Sequence, residues 1–206
     1  YWRMDLPHAP YLFMLAVGEF AEIQDDWNEI PVTYYVEPAY EKQALTKFKH
    51  TTEMLDFFSD KLDYPYPWPK YSQVIVRDYM VGAMENTTAV VLTENIQGDD
   101  RALLDNIDRE EIIAHELFHH WFGNLVTCES WGQLTLNEAF ATLGSHLWYG
   151  HKHGSYERDR LILKSIEHYL KEAQLRQVSV IRDHYISPIE MFDSHSYHKG
   201  ALILHM

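Results

Sequence analysis

The sequence predicts an α+β fold, in which a small mixed sheet is followed by a mainly helical part. Two observations indicate this class. Short segments rich in β-branched and aromatic residues occur before residue 94, whereas apolar residues recur at helical spacing after residue 99. Strands that come first and helices that follow favour α+β architecture over alternating βαβ units.

The first half is expected to supply four strands, at residues 11–20, 32–36, 73–77 and 89–93. Between the second and third strands, residues 39–62 carry apolar side chains at helical spacing and predict one helix. In residues 64–69, aromatic residues alternate with prolines, and each proline fixes φ and removes a hydrogen-bond donor. This stretch is therefore expected to be an extended connector.

The second half is expected to contain several helices. Asp108 and Glu111 form a capping signature for a helix that begins near Arg109 and continues through Phe122. Further helices are predicted at residues 136–149, ended by Gly150, and from 155 to about 176, with another turn capped by Ser187, Pro188 and Glu190.

Composition excludes several classes of function. The 17 basic residues face 31 acidic ones, and the net charge of −14 argues against nucleic acid, which needs clustered Lys and Arg. The longest apolar stretch near the start, residues 11–17, is shorter than the roughly 20 residues of a membrane-spanning helix. The single cysteine, Cys128, excludes an internal disulfide.

The motif HExxH occurs at His115, Glu116 and His119. On a helix, histidines at i and i+4 lie on one face, one turn apart, so both rings can reach one metal ion. A zinc ion with three protein ligands keeps a fourth position for water, and a neighbouring carboxylate can take the proton of that water. The motif therefore predicts two zinc ligands, with Glu116 as general base.

Glu138 is the candidate third ligand, because it follows His119 by 19 positions on the next predicted helix. A helix returning antiparallel to the first would point its carboxylate at the same metal. The extended zincin pattern is absent, since Phe122 and Leu125 occupy its glycine and histidine positions. His120 is rotated about 100° from His119 on the helix, so its ring cannot share the metal-binding face. Five other histidines have no partner at ligand spacing: His146, His151, His153, His168 and His184.

These motifs resemble, in order and spacing, those of the M1 family of zinc aminopeptidases, which are gluzincins. The resemblance is carried by GAMEN at residues 82–86, HExxH running into residues 121–127, and the residues around Glu138. It implies one Zn²⁺ per chain and a thermolysin-like catalytic domain at residues 21–206, stopping short at its C-terminal end. Residues 1–20 would then hold the closing strand of a preceding β-rich domain. Flanking domains of the same polypeptide are expected.

The same resemblance implies a substrate site. Glu85, on a loop after a strand, supplies a fixed negative charge that can hold a free α-ammonium group, and the family uses this glutamate in that way. Backbone groups of Gly82 and Ala83 would line the peptide, and Met84 is the candidate for the first side-chain pocket. Tyr197, in the sequence Tyr-His-Lys-Gly, would donate a hydrogen bond to the oxyanion.

Four positions depart from the family pattern. Thr135 and Ala139 stand where the family usually has tryptophan and glycine, and Ser145 stands where a glutamate is common. The Ser145 difference bears on metal affinity, because such partners orient the ligands. His120 replaces a common glutamine, and its consequence does not follow from the sequence.

The predicted activity is hydrolysis of the first peptide bond of peptides that carry a free amino terminus. Three alternatives stay open. A thermolysin-like endopeptidase would share the zinc chemistry without needing Glu85. An epoxide hydrolase acting on a lipid would be a side activity within the family. A non-catalytic, zinc-stabilised binding module would need neither Glu116 nor Tyr197.

Overall fold

The computed structural model describes residues 3–97 and 108–206, without the side chain of residue 108. The chain divides into two compact units, Tyr1–His120 and Trp121–Met206. The first unit contains strands β1 (Ala21–Trp27), β2 (Ile30–Val36), β3 (Tyr71–Val76), β4 (Ala83–Met84) and β5 (Ala89–Thr93), and helices α1 (Glu41–Lys47), α2 (Thr51–Leu62) and α3 (Asp108–Phe118). The second contains helices α4 (Thr135–Lys152), α5 (Ser155–Ala173) and α6 (Gly200–His205).

The sheet of the first unit has the order β1-β2-β3-β5-β4. The three central strands run parallel, while β1 and β4 pair antiparallel at the two edges. Since parallel neighbours need a crossover, α1 and α2 connect β2 to β3. The predicted α+β class with a small mixed sheet is confirmed, as are the strands predicted at 32–36, 73–77 and 89–93.

Two strands were missed by the sequence patterns. β1 carries three acidic residues and few β-branched ones, but it forms a hairpin with β2 through Asn28 and Glu29, both at positive φ. The indole of Trp27 donates to Asp56 Oδ1 at 2.7 Å, and this bond connects the end of β1 to α2. β4 has only two residues, too few for any periodicity to reveal.

The strand predicted at residues 11–20 is wrong for the described chain. Pro10–Leu12 forms a 3-10 turn, and no described strand pairs with the residues that follow it. The segment was predicted as a strand from its β-branched and aromatic residues, yet Phe13, Leu15 and Val17 are exposed. The assignment of residues 1–20 to a preceding domain stays a prediction, and residues 1–2 lie outside the described part.

The helix predicted at 39–62 is two helices. The chain turns between Lys47 and Thr51, and this turn buries Phe48, whose ring stacks on Tyr34 at 4.7 Å between centroids. Helical periodicity continues across so short a break, so the pattern alone could not locate it. The extended connector at residues 64–69 is confirmed, since these residues form neither helix nor strand.

In the second unit, α4 packs against α5 and α6. α4 continues past Gly150, where an added Cβ would meet the Arg158 side chain at 3.2 Å, and the chain instead turns at Gly154, with φ of 91°. A 3-10 turn forms at Pro188–Met191, where a turn was predicted, but the Ser187 side chain makes no capping hydrogen bond.

The first helix of the second half starts where predicted but ends at Phe118, not Phe122. Residues 121–126 form a turn in which Gly123, at positive φ, donates to Val126 O at 2.7 Å. The capping role predicted for the Asp108 side chain lies outside the described part. Within the described ranges, no helix combines the length and apolarity that crossing a bilayer requires.

Candidate metal centre

Helix α3 presents His115 and His119 on one face, as their spacing predicts. Their Nε2 atoms lie 3.1 Å apart, and their rings stand nearly perpendicular. Zinc–nitrogen bonds of 2.0–2.1 Å at a tetrahedral angle place two ligand nitrogens about 3.3 Å apart. His119 is buried and His115 half-buried. The two imidazoles therefore fit a shared zinc ion.

Glu116 lies beside them, buried on the same helix. Possible ligand atoms of Glu116, His119 and Glu85 lie within 4.8 Å of one another. The predicted base and the predicted amine-binding carboxylate therefore meet within the first unit, although 31 residues separate them in sequence. This arrangement brings two carboxyl groups and one imidazole of the HExxH motif together.

Tyr79 belongs to the same neighbourhood, and the sequence patterns did not single it out. Burial raises the pKa of its phenol, and the charges of Glu116 and Glu85 raise it further. Tyr79 sits in the loop between β3 and β4, where no periodicity marks it. The effect of both carboxylates on one phenol indicates that Tyr79 lies near them.

Glu85 is placed by the short edge strand β4. Gly82 adopts φ of 84°, and its carbonyl accepts the N–H of Thr93 at 3.0 Å. Ala83 and Met84 then pair with β5, and Glu85 follows, buried at 5% exposure. After it, Asn86 Nδ2 donates to Leu12 O at 3.1 Å. The GAMEN segment is thus held at both ends, and it runs along the edge of the sheet.

The structure shows the role of His120, which did not follow from the sequence. It is fully buried, and burial lowers the pKa of its imidazole to about 3, so the ring is neutral. Its Nε2 accepts the N–H of Thr88 at 3.1 Å, which leaves Nδ1 to donate to Glu116 O at 3.2 Å. Trp68 Nε1 donates to the His120 carbonyl at 2.9 Å. His120 therefore ties the end of α3 to the loop that follows Glu85.

Glu138 lies in the first turn of α4, and its N–H donates to Leu134 O at 3.0 Å. The side chain is buried, and the adjacent Asn137 accepts the N–H of Cys128 through Oδ1 at 3.1 Å.

Tyr197 lies in the second unit, half-buried, within a π-helical turn at His195–Lys199. Of the departures from the family pattern, Thr135 Oγ1 donates to Ser196 O at 3.0 Å, next to Tyr197. Ser145 is buried, and its hydroxyl donates to Ala141 O at 3.4 Å in its own helix.

Comparison with known sequences identifies the family to which the chain belongs. The profile of the "Peptidase family M1 domain" matches residues 46–206. The chain is 34% identical over 204 residues to "Probable aminopeptidase 1" of Saccharolobus solfataricus, covering 96% of the chain and 26% of that protein. It is 33% identical over 213 residues to "Glutamyl aminopeptidase" of Bos taurus, covering 100% of the chain and 22% of the relative.

A yeast relative gives the same result. "Aminopeptidase 2, mitochondrial" of Saccharomyces cerevisiae is 35% identical over 209 residues, which cover 96% of the chain and 22% of that protein. The chain therefore spans about a quarter of the length of these relatives.

Proposed function

The chain belongs to peptidase family M1, and from that premise we propose that it is the catalytic part of a zinc aminopeptidase. The observation that carries the proposal is the HExxH pair on α3, with two imidazole nitrogens 3.1 Å apart, in a chain whose residues 46–206 match the family. The mixed sheet followed by helices is the thermolysin-like catalytic fold of that family.

His115, His119 and Glu138 would hold one zinc ion. Two neutral imidazoles and one carboxylate are a common ligand set for catalytic zinc, and burial of His119 and Glu138 keeps competing water away. Bound there, zinc would polarise the scissile carbonyl and lower the pKa of water towards neutrality.

Glu116 acts as the general base and then as the general acid. Its carboxylate takes a proton from the attacking water and returns it to the leaving amine. The cluster of Glu116 with His119 supports this role, because a base must lie within reach of the proton it moves.

Glu85 selects substrates with a free amino terminus. Its buried carboxylate would accept hydrogen bonds from the α-ammonium group, and such charge-assisted bonds are stronger than neutral ones. An amine held there lies close to Glu116, and so the bond cut is the first one of the peptide. The substrates are therefore peptides with a free amino terminus.

Gly82, Ala83 and Met84 would bind the peptide backbone and the first side chain. β4 is an edge strand, and an extended peptide can add to such an edge through main-chain hydrogen bonds. Tyr197 would donate its phenolic proton as a hydrogen bond to the oxyanion that forms on the attacked carbonyl.

Glu116→Gln tests the proposal directly. The variant keeps the size and shape of the side chain but cannot take a proton, so turnover of aminoacyl anilides should fall by about 10²–10⁴-fold. Zinc content, measured by metal analysis, should stay at one per chain. Glu110→Gln, on the same helix, is the matched control and should leave turnover unchanged. Normal turnover in Glu116→Gln would show that the assigned base is wrong.

A further inference from the structure

The turn that carries Tyr197 is a π-helix, a form that is rare and concentrated at functional sites. The Lys199 N–H reaches back to Ser194 O at 2.9 Å, five residues earlier, and the Tyr197 N–H reaches Asp193 O at 3.2 Å. A turn of this kind is less favourable than an α-helix in isolation. Its conformation must therefore be held by contacts with the surrounding side chains.

Asp193 and Arg182 supply the first of these contacts. The guanidinium donates to both carboxylate oxygens, at 2.6 and 3.0 Å; Arg182 is buried and Asp193 half-buried. Asp193 Oδ1 also accepts the N–H groups of His195 and Ser196 at 3.1 and 2.9 Å. Burial alone would raise the pKa of Asp193, but the bonds from Arg182 and Ser196 hold it below its ordinary value. The pair therefore stays ionised at neutral pH.

Arg182 is itself anchored to the segment just before α4. Its N–H donates to Gly132 O at 2.9 Å, and a Cβ added at Gly132 would lie only 2.1 Å from Arg182 O. Gly132 is three residues from Thr135, where α4 begins. The ion pair with Asp193 thus connects the π-turn to the start of that helix.

Thr135 makes the second connection. Its Oγ1 donates to Ser196 O at 3.0 Å, inside the turn. Close by, a Cβ added at Gly200 would lie 2.6 Å from Ala139 Cβ. Thr135 thus contacts the turn itself, and Ala139 lies against Gly200, the residue that follows it. Glu138, in the same helical turn of α4, shares this rigid attachment.

Glu172 of α5 supports the turn from another element. Its Oε2 accepts the Ser194 N–H at 2.7 Å, and its Oε1 lies 3.1 Å from His195 Nδ1. Ligand atoms of Glu172, Asp193 and His195 lie within 4.8 Å, which raises the possibility of a second metal site. Both oxygens of Asp193 are already bonded to the Arg182 cation, however, and a metal would have to displace it. The cluster is better explained as a support for the turn.

We propose that Thr135, Arg182 and Asp193 are positioning residues that fix the Tyr197 turn against the start of α4, and so set the oxyanion donor relative to the zinc ligand Glu138. The inference rests on the proposed function, because it gives these residues a role only through Tyr197. Thr135 is the residue whose contact with the turn a single hydroxyl provides, through the hydrogen bond to Ser196 O.

The test is a double-mutant cycle in the zinc-loaded protein. Thr135→Val removes one hydrogen bond without changing size, and kcat for an aminoacyl anilide should fall about 3- to 10-fold with KM and zinc content unchanged. Thr135→Ser keeps the hydroxyl and should restore most of the rate. In a Tyr197→Phe background, Thr135→Val should cost almost nothing further, because residues that act through one another are not additive.

A second variant and a second measurement guard against loss of folding. Arg182→Lys keeps the charge but loses the two-pronged bond to Asp193, and it should behave like Thr135→Val, whereas Arg160→Lys on α5 should not change kcat. In zinc-free protein, amide hydrogen exchange at Tyr197 and Lys199 should speed up at least about 3-fold in both test variants, since their bonded state depends on the turn.

The outcomes separate the two claims. Equal losses from Thr135→Val in both backgrounds, full activity in Thr135→Val, or unchanged amide exchange would each overturn the positioning role while Tyr197→Phe stays impaired. Normal turnover in Tyr197→Phe itself would instead overturn the role of Tyr197 in the proposed mechanism, and the inference with it.

Discussion

At the scale of single residues, His120 shows how one side chain can join two parts of a site. Its neutral ring accepts the Thr88 N–H and donates to Glu116 O, so it links the loop after Glu85 to the helix that carries His115 and His119. Buried polar groups of this kind must be paired, because an unmade bond costs the full desolvation of the group left behind.

Replacing His120 should therefore destabilise the protein more than its loss of volume implies. His120→Leu leaves the buried Thr88 N–H unpaired, and the free energy of unfolding should fall by about 1–3 kcal/mol beyond any packing change. His120→Gln can still accept and donate, and should lose clearly less. Urea unfolding followed by circular dichroism measures both, and equal stability of the Leu variant and the wild type would contradict the role given to His120.

Much of the candidate site could be predicted from the sequence, because its residues are close in sequence or fall into motifs. Helical geometry places His115 and His119 on one face, and Glu85 is the glutamate of the GAMEN motif. Thr135 could not be connected to Tyr197 in this way, because its partner Ser196 is 61 residues away. Tyr79 was missed for a different reason, because it lies in an irregular loop that no motif or periodicity marks.

At the scale of elements, the helical half of the sequence was predicted better than the sheet. Long apolar periodicities located α3, α4 and α5 to within a few residues at their starts. Edge strands gave weaker signals: β1 is largely polar, and it exists because its backbone pairs with β2. Residues 11–20 gave the opposite result, since a segment rich in β-branched and aromatic residues did not form a strand in the described chain.

The break between α1 and α2 has an energetic consequence. Phe48 is buried against Tyr34, whereas Leu45 on α1 is 55% exposed. Phe48→Ala should lower the free energy of unfolding by about 3–5 kcal/mol, as truncation of buried aromatic side chains does. Leu45→Ala, three residues away, is the matched control and should change it by less than about 0.5 kcal/mol. Similar losses from the two substitutions would show that the break is misplaced.

At the scale of the whole molecule, the family assignment and the site support each other. The profile covers residues 46–206, which include every residue placed in the zinc-binding and catalytic roles. The chain corresponds to about a quarter of its curated relatives, so flanking domains and the physiological peptides stay predictions. The proposed activity is cleavage from a free amino terminus, with Glu85 as the residue that selects it.

The most direct test compares kcat/KM for a panel of aminoacyl anilides with that for their N-acetylated forms. We expect the free-amine substrates to be preferred by at least about 10-fold, because acetylation removes the charge that Glu85 would bind. Glu85→Gln should lower kcat/KM for the free-amine substrates towards the acetylated level while zinc content stays the same. Equal or faster cleavage of the acetylated substrates would contradict selection of a free amino terminus by Glu85 and would favour a thermolysin-like endopeptidase.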